Sequence, residues 1–186
     1  MTDNVIFEGV VEAVSRKATH KFSKDIVPVI TLVAGLGVSG DAHFGKTVQH
    51  RYDKKKDPTR PNLRQVHLMH AELFDDVAKV GFTVGPGDMG ENIATRGLNL
   101  LGLPVGTRLH LGDDAVVELT GLRDPCKLLN ALGAGFKDVM KEVLPDGTVR
   151  RKSGVMSVVI TGGEVKAGDT VRAVLPGGAF VGLPVL

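Results

Sequence analysis

The sequence is poor in several residue types, and each shortage removes a class of function. It has a single cysteine, a single tyrosine and no tryptophan. One cysteine closes no intramolecular disulfide and cannot hold an iron–sulfur cluster, which takes several thiolates. No leader-like apolar stretch occupies residues 1–14, so the expected compartment is the cytoplasm. No apolar run approaches the roughly 18 residues that cross a bilayer as a helix, and no membrane partner is expected. One Tyr and 7 Phe leave few rings on which successive bases could stack. A formal net charge of +2 is too mild for the clustered basic face of a nucleic-acid binder, so nucleic acid is not an expected partner either. No G-x-G-x-x-G opens a helix after a strand, and no G-x-x-x-x-G-K-[ST] pattern occurs, so dinucleotide and nucleoside-triphosphate binding lack their usual signatures.

What the chain does have is a foldable balance. Its 186 residues are 42% hydrophobic and 24% charged, enough for one domain over residues 1–186 with a sizeable core. The 24 Gly and 9 Pro recur at intervals, which predicts many tight turns between short strands. Strands are expected at Val5 to Val14 and at Ile26 to Val33, with Pro28 marking an edge or bulge and both runs in one sheet. Gly35 to Lys56 has no period and reads as a long loop. A strand at Leu63 to His70 leads into a helix at Ala71 to Val80, where Leu73, Val77 and Val80 form an apolar stripe. Gly112-Asp113-Asp114 joins strand-like runs at Gly106 to Leu111 and Ala115 to Thr120 as a hairpin. Asp124 to Leu132 reads as helical, and Phe136, Val139, Met140 and Val143 give a second stripe. Further strands are expected at Val155 to Thr161 and Thr170 to Leu175. About seven strands and three short helices with no βαβ rhythm predict a mainly β, barrel-like fold with a few inserted helices.

Three features carry chemistry. In Arg123-Asp124-Pro125-Cys126-Lys127, Asp124 is a good N-cap and Pro125 suits the first helical position. Cys126 then falls in a first turn, where the helix N-terminus and the neighbouring cations favour thiolate over thiol. A small buried hydrophobe is the competing reading of the same cysteine. Gly85-Pro86-Gly87-Asp88-Met89-Gly90-Glu91-Asn92 suits close backbone approach to a polar ligand, and equally a rigid structural turn. Six histidines occur, and Asp41, His43 and Cys126 could meet as a metal set, although no H-x-x-x-H, H-E-x-x-H or C-x-x-C supports a dedicated zinc site. Arg64 and Arg151 each border a basic run and a strand-like segment, which suits them to a phosphate or other dianion.

Taken together, these segments resemble the MOSC domain, named for the C-terminal domain of molybdenum cofactor sulfurase. The resemblance runs in order through Gly40-Asp41-Ala42-His43, Arg64-Gln65-Val66, Pro86 to Ile93, Leu103 to Thr107, Arg123 to Cys126, and Gly154 to Asp169. It covers about residues 35 to 175. It implies a β-barrel like the barrel domain of pyruvate kinase, with molybdopterin as cofactor. The cysteine matching Cys126 would be the catalytic residue, serving either as thiolate ligand to the molybdenum or as a persulfide carrier. Asp41, His43, Arg64, Glu91, Asn92, Arg96 and Arg123 would surround the pterin, its phosphate or the metal. The chain looks like the stand-alone bacterial type, which is associated with molybdenum-dependent reduction of N-hydroxylated small molecules. Electrons would then come from a separate electron-transfer protein. In the alternative, sulfur would come from a separate cysteine desulfurase, because 186 residues leave no room for one. A second copy of the chain, as a homodimer, is a further candidate partner.

Overall fold

The structure is a computed structural model and describes residues 5–186. Thirteen strands run from β1 (Val5–Arg16) through β2 (Asp25–Val27), β3 (Val29–Val33), β4 (Gly37–Val38), β5 (Val66–His70), β6 (Ile93–Arg96), β7 (Arg108–Leu111) and β8 (Ala115–Leu122) to β9 (Lys141–Val143), β10 (Val149–Arg151), β11 (Val155–Thr161), β12 (Gly163–Lys166) and β13 (Thr170–Val174). Three short helices interrupt them: α1 (Arg51–Lys56), α2 (Glu72–Lys79) and α3 (Phe136–Val139).

Period-two patterning explains the main sheet. Along β8, Ala115, Val117, Leu119 and Gly121 point inward while Val116, Glu118, Thr120 and Leu122 are less buried. Such a strand buries one face only, and closure hides the rest. The order β13-β7-β8-β11-β5-β6-β1 closes on itself because β1 also pairs with β13, giving a seven-stranded barrel with β2 added outside β1. Its interior is filled by aliphatic side chains such as Leu68, Leu109, Leu111, Val117, Leu119 and Val171. All neighbours in this sheet are antiparallel except β5 and β6, which run parallel. Parallel neighbours cannot be joined by a hairpin, so residues 71–92 form a crossover containing α2 and the Gly85–Asn92 turn.

A second apolar cluster lies beside the barrel. Leu73, Phe74 and Val77 of α2 pack with Met69, Met89, Leu129, Phe136 and Met140. It is this cluster that anchors the segment after Cys126, since Leu129 and Phe136 are both fully buried. The hairpin about Gly112-Asp113-Asp114 forms as expected, and so does the helix after the β5 strand, with Leu73 and Val77 buried and Val80 outside it.

Several local expectations are corrected. Pro28, which has no N–H to donate, splits the Ile26 to Val33 run into two strands in different sheets: β2 joins the barrel sheet, while β3 lies between β12 and β4. The Gly35 to Lys56 stretch is not a structureless loop, since it contains β4 and α1. Asp124 to Leu132 is a 3-10 helix at Lys127–Leu132, with Cys126 in the N-cap position in place of Asp124. The second stripe ends at Val139, and Val143 lies on β9 at 72% exposed. Among the described residues no helix is long and apolar enough to cross a membrane.

Candidate functional site

Beside the barrel, the segments that follow β1, β4 and β8 and the end of the crossover converge on a cavity of about 310 Å³. Its wall includes Lys24, His43, Arg64, Asn92, Arg123 and Cys126. Local backbone chemistry explains why the segment after β1 approaches the end of the crossover so closely. Gly87 and Gly90 have φ of +85° and +81°, and a Cβ at either would come within 2.5 Å of the Lys24 or Phe22 carbonyl oxygen. Only glycine lets the Gly85–Asn92 turn press backbone to backbone on the segment carrying Lys24. Lys24 N–H donates to the Gly87 carbonyl at 2.8 Å, which fixes the contact.

Asp41 is the hub of the wall. Its side chain is fully buried, and its two oxygens accept from Lys24 Nζ at 2.8 Å, Asn92 Nδ2 at 3.1 Å, Lys17 N–H at 3.2 Å, His43 N–H at 3.0 Å and His43 Nδ1 at 3.3 Å. Burial alone would raise the carboxyl's pKa, but the hydrogen bonds from His43 and the Lys24 ammonium outweigh it and hold it well below the ordinary value. Burial lowers the pKa of Lys24, against the pull of Asp41, and lowers that of His43 as well. Asn92 links three elements: Oδ1 accepts from His67 N–H, and Nδ2 donates to the Ser15 carbonyl and to Asp41.

The floor is made by β5 and the crossover. His67 is buried and its Nε2 lies 2.8 Å from the Ser153 carbonyl; burial, reinforced by Arg123 and Lys24, pushes its pKa well below the ordinary value. The neutral ring therefore donates through Nε2. Glu91 is buried behind the wall, where one oxygen accepts from Gly87 N–H and the other has no partner. Burial raises its pKa, while the Arg123 and Lys24 charges oppose the rise.

Cys126 is free and half-buried, so the sulfur is reachable through the cavity. The segment after it is a short 3-10 turn and not an α-helix. The Arg123 guanidinium lies beside the cysteine and is bonded to the Met89 carbonyl. Burial lowers the pKa of Arg123, and its closeness to Cys126 and Glu91 opposes the fall. Pro125 and Leu129, both buried, pin the segment from either side of the cysteine. Asp124 on the cavity wall is held by Arg151 Nε at 2.8 Å, and Arg64 by Asp53 at 3.1 Å.

Of the residues singled out from sequence, His43, Arg64, Asn92, Arg123 and Cys126 line the cavity, and Asp41 and Glu91 support the wall from behind. Arg96 does not join them. Its guanidinium is taken by Glu12 and by Asp75 at 2.8 Å, on the α2 side of the crossover. The Asp41–His43–Cys126 metal set is not formed either: among the described residues no three His, Cys, Asp or Glu side chains come together to hold an ion. Asp41 already spends its lone pairs on five donors. Sequence reading missed Lys24, Tyr52 and Met156 in the wall, since isolated residues carry no spacing signal and only the tertiary fold brings them to the cavity.

Beside the barrel, then, one free cysteine shares a cavity wall with guanidinium, ammonium and imidazole groups. The family model for the MOSC domain matches residues 39–172, and the chain belongs to that family. Solved structures agree on the fold. The YuaD protein from Bacillus subtilis superposes with a TM-score of 0.72 at 22% identity, covering 89% of this chain and 95% of that one. YiiM from Escherichia coli gives 0.61 at 20% identity over 92% and 73%. YiiM from Geobacillus stearothermophilus gives 0.59 at 17% identity over 96% and 78%. No curated protein matches the chain significantly.

Proposed function

We propose that the chain binds the molybdenum cofactor, with Cys126 as the protein's thiolate ligand to the metal, and reduces N-hydroxylated compounds with electrons from a separate protein. One observation carries this reading: the only cysteine is free and open to a cavity whose wall is rich in cations and imidazoles. The donor chemistry fits the group. A soft thiolate suits a redox metal, and the cations suit a phosphate-bearing pterin. Asp124, the one carboxylate in the wall, is neutralised by Arg151.

When bound, the cofactor supplies two-electron redox chemistry at an oxygen-accepting metal. The chain's residues do the rest. Arg123 and Arg64 bind anionic oxygens, Lys24 adds charge from a position fixed by Asp41, and Cys126 anchors the metal. His43, with Nδ1 held toward Asp41, keeps its other nitrogen for hydrogen bonding. The reaction R–NHOH + 2 e⁻ + 2 H⁺ → R–NH₂ + H₂O breaks the N–O bond, taking its protons from solvent.

The test is molybdenum and pterin content after purification from a molybdenum-replete host. Retention of both, lost in Cys126→Ser with unfolding midpoint unchanged, supports the reading. Protein that retains no molybdenum but gains a Cys126 persulfide from a cysteine desulfurase is instead a sulfur carrier.

A further inference from the structure

The connection from β8 to β11 does more than carry Cys126. After the 3-10 turn and α3 it forms the β9–β10 hairpin, whose two strands pair only with each other and join neither of the larger sheets. Register fixes its faces. Lys141 lies opposite Arg151 and Val143 opposite Val149, so these four share one face by the two-residue alternation of a strand, and Glu142 and Arg150 share the other. Glu142 and Arg150 attract, at 3.6 Å. The first face does neither of the things that stabilise a hairpin. Its valines stay open to solvent, Val143 at 72% and Val149 at 40%, and two cations stand directly opposite each other at Lys141 and Arg151, an arrangement that weakens a ladder. Both features suit a surface that another protein covers, with apolar contact at its centre and charge at its rim.

Charge sets the character of that protein. From Lys127 to Lys152 the chain has six Lys or Arg against three Asp or Glu, an excess larger than the +2 of the whole chain, so the rest of the chain is slightly acidic. Lys127, Lys137, Lys141 and Lys152 enter no ion pair among the described residues. A second copy docked face to face here would set cation against cation, and a nucleic acid would leave the valines without apolar contact. An acidic protein satisfies both. The face also lies beside the site: Arg151, at its base, holds Asp124 of the cavity wall at 2.8 Å, and Asp124 is two residues from Cys126.

We propose that the face made by Lys141, Val143, Val149 and Arg151 docks an acidic electron-transfer protein beside the cavity. The inference rests on the reductase reading for the partner's role, but docking can be measured without turnover. Two molecules of a one-electron donor are oxidised for each N–O bond broken, which supplies the two electrons of that reaction.

Flavodoxin, a small acidic protein that gives up one electron from its fully reduced form, is the probe. By fluorescence anisotropy, labelled flavodoxin is expected to bind saturably, with affinity falling about tenfold between about 20 and 200 mM salt. Lys141→Glu and Val143→Ser should each weaken binding about three- to tenfold. Lys166→Glu, the same charge change on β12 in another sheet, should leave it near native. The melting midpoint of Lys141→Glu should not fall, because a repulsive pair with Arg151 becomes an attractive one. In the loaded enzyme, Lys141→Glu should slow turnover driven by reduced flavodoxin by a similar factor and leave turnover driven by reduced methyl viologen, which needs no docking face, unchanged. No saturable binding, binding indifferent to salt, or native binding by both variants overturns the docking face. So does a DNA duplex that binds as tightly as flavodoxin and ignores Val143→Ser, or a dimer in sedimentation that Lys141→Glu dissociates. If viologen-driven reduction persists in any of these cases, the reductase reading stands. If nothing N-hydroxylated is reduced with viologen while flavodoxin binding still depends on Lys141 and Val143, the reductase reading fails and the face survives as a docking surface for an acidic protein.

Discussion

At the scale of single residues, the wall of the cavity is an exercise in keeping buried charge paired. Lys24 depends on Asp41, but Asp41 has four other donors. Removing the carboxylate leaves an ammonium buried without its counter-charge, so Asp41→Ala is expected to cost about 3–5 kcal/mol in urea unfolding. Lys24→Met leaves the carboxylate with its remaining hydrogen bonds and should cost clearly less; equal losses would contradict the hub. His67 gives a pH signature. Its folded pKa lies well below the ordinary 6.5, so below that pH the unfolded chain takes up a proton the folded chain refuses. The stability it contributes is present above pH 6.5 and is lost as the pH falls. Glu91 runs the opposite way: its raised pKa means that its contribution is present below the ordinary 4.5 and is lost as the pH rises through the folded value. His67→Gln should therefore flatten the fall in urea midpoint between about pH 7 and pH 5, and an unchanged slope would rule the histidine out as its source.

At the scale of elements, turns decide what the site looks like. Gly87→Ala sets a side chain against the Lys24 carbonyl at a backbone angle that L-residues avoid. The expected result is a loss of about 1–3 kcal/mol, read by thermal melts, and, on the proposed cofactor reading, weaker molybdenum retention as Lys24 is pushed out of place. How much of this was legible in advance varies by element for physical reasons. The hairpin and the α2 helix are local, so their signals are complete within a dozen residues. Pro28 was legible as an edge or bulge, but not as a split between two sheets, because which sheet a strand joins depends on distant partners. That Asp124 to Leu132 is helical was legible, but not its 3-10 form nor its start at Cys126, since Asp124 and Pro125 are good helix openers and the packing of Leu129 is invisible locally. Motif position pointed to Asn92 and Arg123, and both line the cavity. It also pointed to Arg96, whose guanidinium is held away from the cavity by Glu12 and Asp75, partners distant in sequence.

At the scale of the whole molecule, order is unevenly spread. The barrel strands bury aliphatic rows and bond on both sides, whereas α1 buries nothing. Hydrogen exchange should show amides at 50–57 opening with little free energy and those of β8 and β11 only on global unfolding. Comparable protection in the two regions would contradict this uneven packing.

The parallel pairing of β5 and β6 sets a one-way rule for redesign. A join between co-directional neighbours must travel the full length of the sheet and return, so the excursion over 71–92 can be lengthened or decorated but not trimmed to a tight bend. The antiparallel join at Gly112-Asp113-Asp114 has no such minimum. Grafts that alter the cavity belong on that excursion, and changes meant to be silent belong on the short bend.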